Sequence, residues 1–209
     1  MTGRLIYVIG PSGAGKDSLL HFAREHVAGT AIVFAHRYIT RETGHNENHI
    51  ALTREEFAAR SAQGLFALEW ASHELHYAIG IEIDAWLERG CTVVVNGSRA
   101  YLSRAIKRYP HLEVVHIHAA PHILAARLSA RGRETEEQVA ARLARQAPFT
   151  LPDGAHLTHI DNSGTIEAAG QAFVDSLKGI QKGVQNGVVQ AQHAHRIETD
   201  AQISDESVK

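Results

Sequence analysis

The sequence predicts an α/β domain with a parallel central sheet flanked by helices. Short β-branched runs alternate with stretches of helical spacing through most of the 209 residues, and strands separated by helices pair in parallel with both faces covered. The first of these runs, LIYVI (Leu5 to Ile9), leads directly into GPSGAGKD (Gly10 to Asp17). That is a glycine-rich turn between a buried strand and a helix, with the spacing of a phosphate-binding loop. Size agrees: a domain of this length buries enough of its own surface to need no covalent staples.

The elements follow in order. Gly10 ends the first strand, and Asp17 to His26 has helical spacing through Leu19, Leu20 and Ala23. Thr30 to Phe34 is a second strand, followed by the polar stretch HRYITRETGHNENHIAL. TREE at Thr53 is a capping box that opens a helix to Ala62. Phe66 to Trp70 and Leu75 to Ile81 predict short strands around a turn, and Ile83 to Arg89 a helix that Gly90 stops. Thr92 to Val95 is the most apolar strand and runs into Asn96-Gly97-Ser98. A helix over Ala100 to Tyr109 ends at Pro110, Glu113 to His118 is a strand, and Pro121 opens a helix to Arg131. Glu134 to Arg145 is helical, Thr158 to Ile160 a last strand, and Ile166 to Leu177 the closing helix. The domain therefore covers 1–178, with a polar, hairpin-like insert at 36–82 and an arginine-rich helical segment at 127–146. Apolar periodicity is lost past Gly179, so 179–209 reads as a mobile tail.

A formal charge of −2 and a pI of about 6.7 give no reason to expect nonspecific binding to nucleic acid or a membrane surface. No apolar run approaches the length needed to cross a bilayer, and the start of the chain has no secretory pattern, so the expected location is the cytoplasm. A homodimer stays open beside a monomer. One cysteine, Cys91, excludes an intramolecular disulfide and a cysteine-rich zinc site. The 15 histidines are scattered without metal-ligand spacing, and His116 and His118 alternate on a strand.

The chemistry concentrates at the loop. Gly10, Gly13 and Gly15, with Pro11, Ser12 and Ala14 between them, let successive N–H groups turn inward. The following helix adds the positive end of its dipole, and Lys16 a mobile charge for the β- and γ-phosphates. A ligand-free turn is the alternative, but the strand before and the lysine in register favour a nucleoside triphosphate, ATP. Arg127, Arg131, Arg133, Arg142 and Arg145 crowd one segment, either a solvated surface helix or a lid that closes on the transferring phosphoryl. Arg37 and Arg41 form a second basic pair in the insert, either loop charges or a fork for acceptor phosphates. Glu69, Trp70 and Tyr77 lie in the same insert.

GPSGAGK, ITRE, TREEF…GLFALEWA…HYAIG, VVVNGSR and ARLSARGRETEEQVAARLARQ together resemble the guanylate kinase-like P-loop kinases over about residues 4–178. The resemblance implies a nucleoside-phosphate kinase fold with an acceptor-binding insert and a helical lid. It makes Lys16, Arg131 and Arg142 catalytic, the loop from Gly10 to Ser18 ATP-binding, and Arg37, Arg41, His49, Glu69, Tyr77, Asn96 and Arg99 acceptor-binding. Two departures stand out. Arg37 occupies the place of a guanine-reading serine, and His49 that of a phosphate-binding tyrosine, while Glu69 persists where guanylate kinases read the base. With GKDS, HRYITR, ENHIAL and VNGSRA, this resembles the branch that phosphorylates ribose 1,5-bisphosphate to 5-phosphoribosyl diphosphate with ATP, in phosphonate breakdown. A guanylate kinase acting on GMP is the alternative.

One letter of the loop is out of place. The family puts a hydroxyl after the lysine, for Mg²⁺, and an aspartate at the end of the central strand; here those positions are Asp17 and Asn96. The expectation is that the carboxylate has moved, so that Asp17 holds Mg²⁺ while Asn96 orients the acceptor. The alternative is that Asp17 caps the helix and Ser18 meets the metal. The nucleophile implied is a phosphate oxygen, already ionised, so no catalytic base is expected; His36 and His49 read as phosphate hydrogen-bond donors.

Overall fold

The computed structural model describes residues 3–43, 48–72, 74–130, 149, 151 and 155–183. Within them, strands β1 (Arg4–Ile9), β2 (Ile32–Phe34), β7 (Thr92–Asn96), β8 (Glu113–His118) and β9 (Leu157–Asp161) form one five-stranded sheet in the order β2-β7-β1-β8-β9. All four neighbour pairs are parallel. β1 takes the centre because it is apolar on both faces: Leu5 through Ile9 are all buried.

The two faces are covered differently. Ile6, Val8, Val115 and Ile117 pack with Leu19, Leu20 and Ala23 of α1 (Lys16–His26), Leu124 of α5 (Pro121–Ser129), and Phe173 and Leu177 of the closing helix α6 (166–183). Tyr7, Ile9, Val93 and Val95 pack with Ile83 and Leu87 of α3 (Glu82–Glu88) and Leu102 and Ala105 of α4 (Leu102–Arg108). The alternation of β1 side chains between these two cores is the period of a strand doing the work of a divider.

The insert is its own sheet. β3 (Arg37–Ile39), β4 (His49–Ala51), β5 (Phe66–Ser72) and β6 (Leu75–Gly80) run in the order β4-β3-β6-β5. β5 and β6 form the expected antiparallel pair, and β3 pairs antiparallel with β6 and parallel with β4. Helix α2 (Arg54–Ala62) covers one face with Phe57, against Leu52 and Ala78. Its start is the predicted cap: Thr53 Oγ1 accepts the Glu56 backbone N–H at 3.1 Å.

Three boundaries differ from the sequence expectation. The polar stretch after Phe34 contains β3 and β4, which its composition does not announce. The helix expected over Ala100 to Tyr109 opens as a 3₁₀ turn, Arg99–Tyr101, before α4. The closing helix continues to 183, past the expected Leu177. The expected helix Glu134 to Arg145, with Arg131, Arg133, Arg142 and Arg145, lies outside the described residues, as do 184–209. No helix among the described residues is long and apolar enough to cross a membrane.

Candidate active site

The loop between β1 and α1 opens at the C-terminal edge of the parallel sheet, where ligands of open α/β sheets gather. Two of its glycines are forced by space. A Cβ on Gly10 would run into the Ile117 carbonyl of β8, and one on Gly15 into the Asn162 amide. Gly15 also sits at φ 82°, a left-handed conformation that a side chain would strain. Asn162, buried after β9, donates from Nδ2 to the Ala14 carbonyl at 2.8 Å. It therefore braces the loop itself. Lys16 Nζ donates to the Gly10 and Pro11 carbonyls at 2.9 and 3.1 Å, so its charge lies along the loop it serves.

Asp17 is the hinge of the site. Its Oδ1 accepts from Arg37 Nη2 at 3.1 Å and from Asn96 Nδ2 at 2.9 Å. Three elements meet at one oxygen: α1 behind the phosphate loop, β3 of the insert, and the end of the central strand β7. The expected exchange of residues between positions 17 and 96 is thus an exchange across a single contact. Ser18 is exposed on the first turn of α1. The turn after Asn96 is fixed from behind: the buried Tyr7 hydroxyl accepts from the Ser98 N–H at 3.0 Å and donates to the Ser98 carbonyl. Burial raises the Tyr7 pKa well above the phenol range, so this brace stays neutral.

The other acceptor candidates line the insert. Arg37 pairs with Ile79 and with His49 across β3, and Tyr77 pairs with Ile39 and Trp70. These residues fall in step, two apart, along their strands. The Trp70 and Tyr77 rings stack at 5.6 Å and 4°, and Tyr101 lies against Trp70. His49 is buried and its Nε2–H donates to the Arg41 carbonyl at 3.4 Å; Arg41 Nη1 donates to the Glu42 carbonyl. Glu69 lies opposite Ala78, out of step with that row, and its carboxylate accepts from Ser61 Oγ of α2 at 2.7 Å.

Two residues join the site that the motif reading leaves out of it. Arg127, in the last turn of α5, reaches over the loop to within 3.7 Å of the Cβ position of Gly15, and among the described residues its buried Nη1 has no hydrogen-bond partner. A buried unmatched N–H is costly. Its neighbours Arg131 and Arg142 lie beyond the described residues. His116 is the other. It packs against His118, His159 and Phe149, near Arg99 and Lys16. Burial, then the neighbouring histidines and cations, lowers its pKa from 6.5 to about 4. Arg99 opens the 3₁₀ turn, and burial lowers its own pKa.

The sign of the His116 effect is fixed by linkage. Between pH 6.5 and 4 the unfolded chain takes up a proton at this residue that the folded chain refuses, so stability falls as pH falls through that window. Thermal melts of the wild type should drop from pH 7 toward pH 4 more steeply than those of His116→Gln. Parallel curves would remove His116 as the cause.

The donor set can be tested for Mg²⁺. Among the described residues no three His, Cys, Asp or Glu side chains cluster to hold a metal alone. Kinase Mg²⁺ needs only one or two carboxylates, because substrate phosphates and water complete its shell. Asp17, with its carboxylate 44% exposed at the mouth of the loop, fits that requirement.

No family model matches the chain. The ribose 1,5-bisphosphate phosphokinase PhnN of Burkholderia pseudomallei (strain K96243) is 59% identical over 179 residues, which cover 86% of this chain and 97% of that one. The protein of the same name from Thiobacillus denitrificans is 54% identical over 177 residues, covering 84% and 93%. Among solved structures, the guanylate kinase from Anaplasma phagocytophilum matches at a TM-score of 0.62 and 16% identity, over 86% of each chain, which shows the shared fold. Fold, loop and identity over nearly the whole length of these relatives agree: the chain belongs to the ribose 1,5-bisphosphate phosphokinase family, a branch with the guanylate kinase fold.

Proposed function

We propose that this chain transfers the γ-phosphoryl group of ATP to the phosphate at C1 of ribose 1,5-bisphosphate, giving 5-phosphoribosyl 1-diphosphate and ADP, a step of phosphonate breakdown. The observation that carries the reading is Arg37, a cation where the guanylate kinase pattern has a base reader, anchored within 3.1 Å of the carboxylate behind the phosphate loop. The relatives' names supply the acceptor.

In this reading the loop amides and Lys16 hold the β- and γ-phosphates, and Arg127 approaches them from α5. An ionised oxygen of the C1 phosphate forms a bond to the γ-phosphorus. The bond from that phosphorus to the bridging oxygen breaks, and the electron pair leaves with ADP. No proton moves, so no base is required, and rate comes from alignment and charge neutralisation. Arg41, Tyr77 and His49 hold the reacting phosphate, with Arg99 beside it, and Arg131 and Arg142 close from the lid. Asp17 is the residue that would hold Mg²⁺, which when bound offsets charge on the β- and γ-oxygens.

The test is product identification by phosphorus NMR, with ATP and Mg²⁺ fixed and either ribose 1,5-bisphosphate or GMP as acceptor. A diphosphate doublet on the ribose acceptor is expected. GMP turning over faster than the bisphosphate would overturn the proposal in favour of a guanylate kinase.

A further inference from the structure

A pocket opens between α1, β2, β7 and the start of the insert, lined by Asp17, Leu20, Arg24, Phe34, Arg37 and Asn96 among others. Its floor is apolar: Leu20, Phe34 and Val94. Its walls carry two guanidinium groups, Arg24 and Arg37, against one carboxylate, Asp17. A pocket with a net positive wall and an apolar floor selects an anion with a carbon body.

Arg24 is the residue no motif points to. It belongs to α1 and follows Asp17 and Leu20 at helical spacing, so the three share the face turned to the pocket. Seven residues of helix set it about 10 Å along the axis from Asp17. Its guanidinium lies over the Phe34 ring at 5.2 Å, half-buried, and among the described residues no carboxylate pairs with it. Burial lowers its pKa. Stacking on Phe34 fixes the plane of the fork and leaves its N–H edge for a ligand.

We propose that Arg24 binds the phosphate of the acceptor that does not react, while Arg37 stays at the Asp17 end of the pocket. This rests on the reading of a sugar bisphosphate acceptor given above. The reacting phosphate must lie near the phosphate loop, at the Asp17 end. A pentose with phosphates at C1 and C5 then places its far phosphate down the pocket toward Arg24. Arg24 turns what would be a base-reading hollow into a second phosphate site, and is thereby a determinant of substrate choice.

The test compares two acceptors, ribose 1,5-bisphosphate and ribose 1-phosphate, which lacks the far phosphate. Arg24→Gln should lower kcat/KM for the bisphosphate about 10–100-fold, the loss of a charge-assisted contact, chiefly through acceptor KM. The loss on ribose 1-phosphate should be several-fold smaller, and ATP KM unchanged. Arg24→Lys should recover part of the loss, keeping the charge without the fork. Equal losses on both acceptors, or an ATP KM that rises as much as the acceptor KM, would show that Arg24 only supports the fold of α1 and would overturn the proposal. A wild-type enzyme inert toward the bisphosphate would overturn the function itself, a different result from the same assay.

Discussion

Asp17→Ser should lower kcat/KM for phosphoryl transfer about 10²-fold and raise the Mg²⁺ concentration needed for half-maximal rate, while Asp17→Ser with Asn96→Asp should regain most of the rate. The expectation follows from one contact. Asp17 Oδ1 and Asn96 Nδ2 are 2.9 Å apart, so a carboxylate at either position can serve the same point in space. Asn96→Asp alone should also be impaired, because it sets two carboxylates side by side and one must take up a proton to relieve the repulsion. Stability should change little in Asp17→Ser. The Arg37–Asp17 pair is partly exposed, 14% and 44% for the two side chains, and such pairs contribute about 1 kcal/mol or less. Kinetics against Mg²⁺ concentration for the four proteins form a double-mutant cycle. If the double variant is as slow as Asp17→Ser, the carboxylate has not been relocated and Ser18 becomes the metal-side candidate.

Lys16→Met should cost roughly 10²–10³-fold in kcat, the scale of removing one preorganised charged donor from a phosphoryl-transfer site. The side chain donates to the loop carbonyls of Gly10 and Pro11, and methionine keeps its length and apolar stem. The fold should therefore persist, and circular dichroism and melting curves should overlay those of the wild type. ATP KM should rise less than kcat falls, because the amides of the loop still hold the ground state. A Lys16→Met enzyme retaining more than about a tenth of the wild-type kcat would mean that Arg127 or the lid arginines carry the γ-phosphate charge instead.

These predictions show which parts of the molecule its sequence discloses. β1 and β7 are readable because they are buried on both faces and carry unbroken apolar runs, and β8 because Val114, Val115 and Ile117 are β-branched and buried. Gly10, Gly90 and Pro121 mark their element ends for backbone reasons that hold in any context. β3 and β4 are three residues each, RYI and HIA, and their pairing is set by neighbours far along the chain. Arg37 looks like a loop charge until β3 sits between β4 and β6. The strand order is equally hidden, because β1 pairs with β7 and β8, more than eighty residues on. At the site, the phosphate loop is written in consecutive residues and Asp17 and Asn96 are visible as departures from a pattern. Arg24 is not: as a helix arginine in sequence it looks like surface charge, and only Phe34 beneath it says otherwise. Asn162 stands far from the loop in sequence, and only the fold brings it to the Ala14 carbonyl.

That last contact has a consequence for how the protein is made. Asn162 closes on Ala14 across 148 positions of sequence, and Gly15 exists to let it in. A ribosome that has released the first strand and its turn has not yet made the side chain that fixes the turn's shape. Nucleotide affinity must therefore arrive late in translation, after β9 has left the exit tunnel, and a nascent chain halted before that point should pass over an ATP resin without being retained.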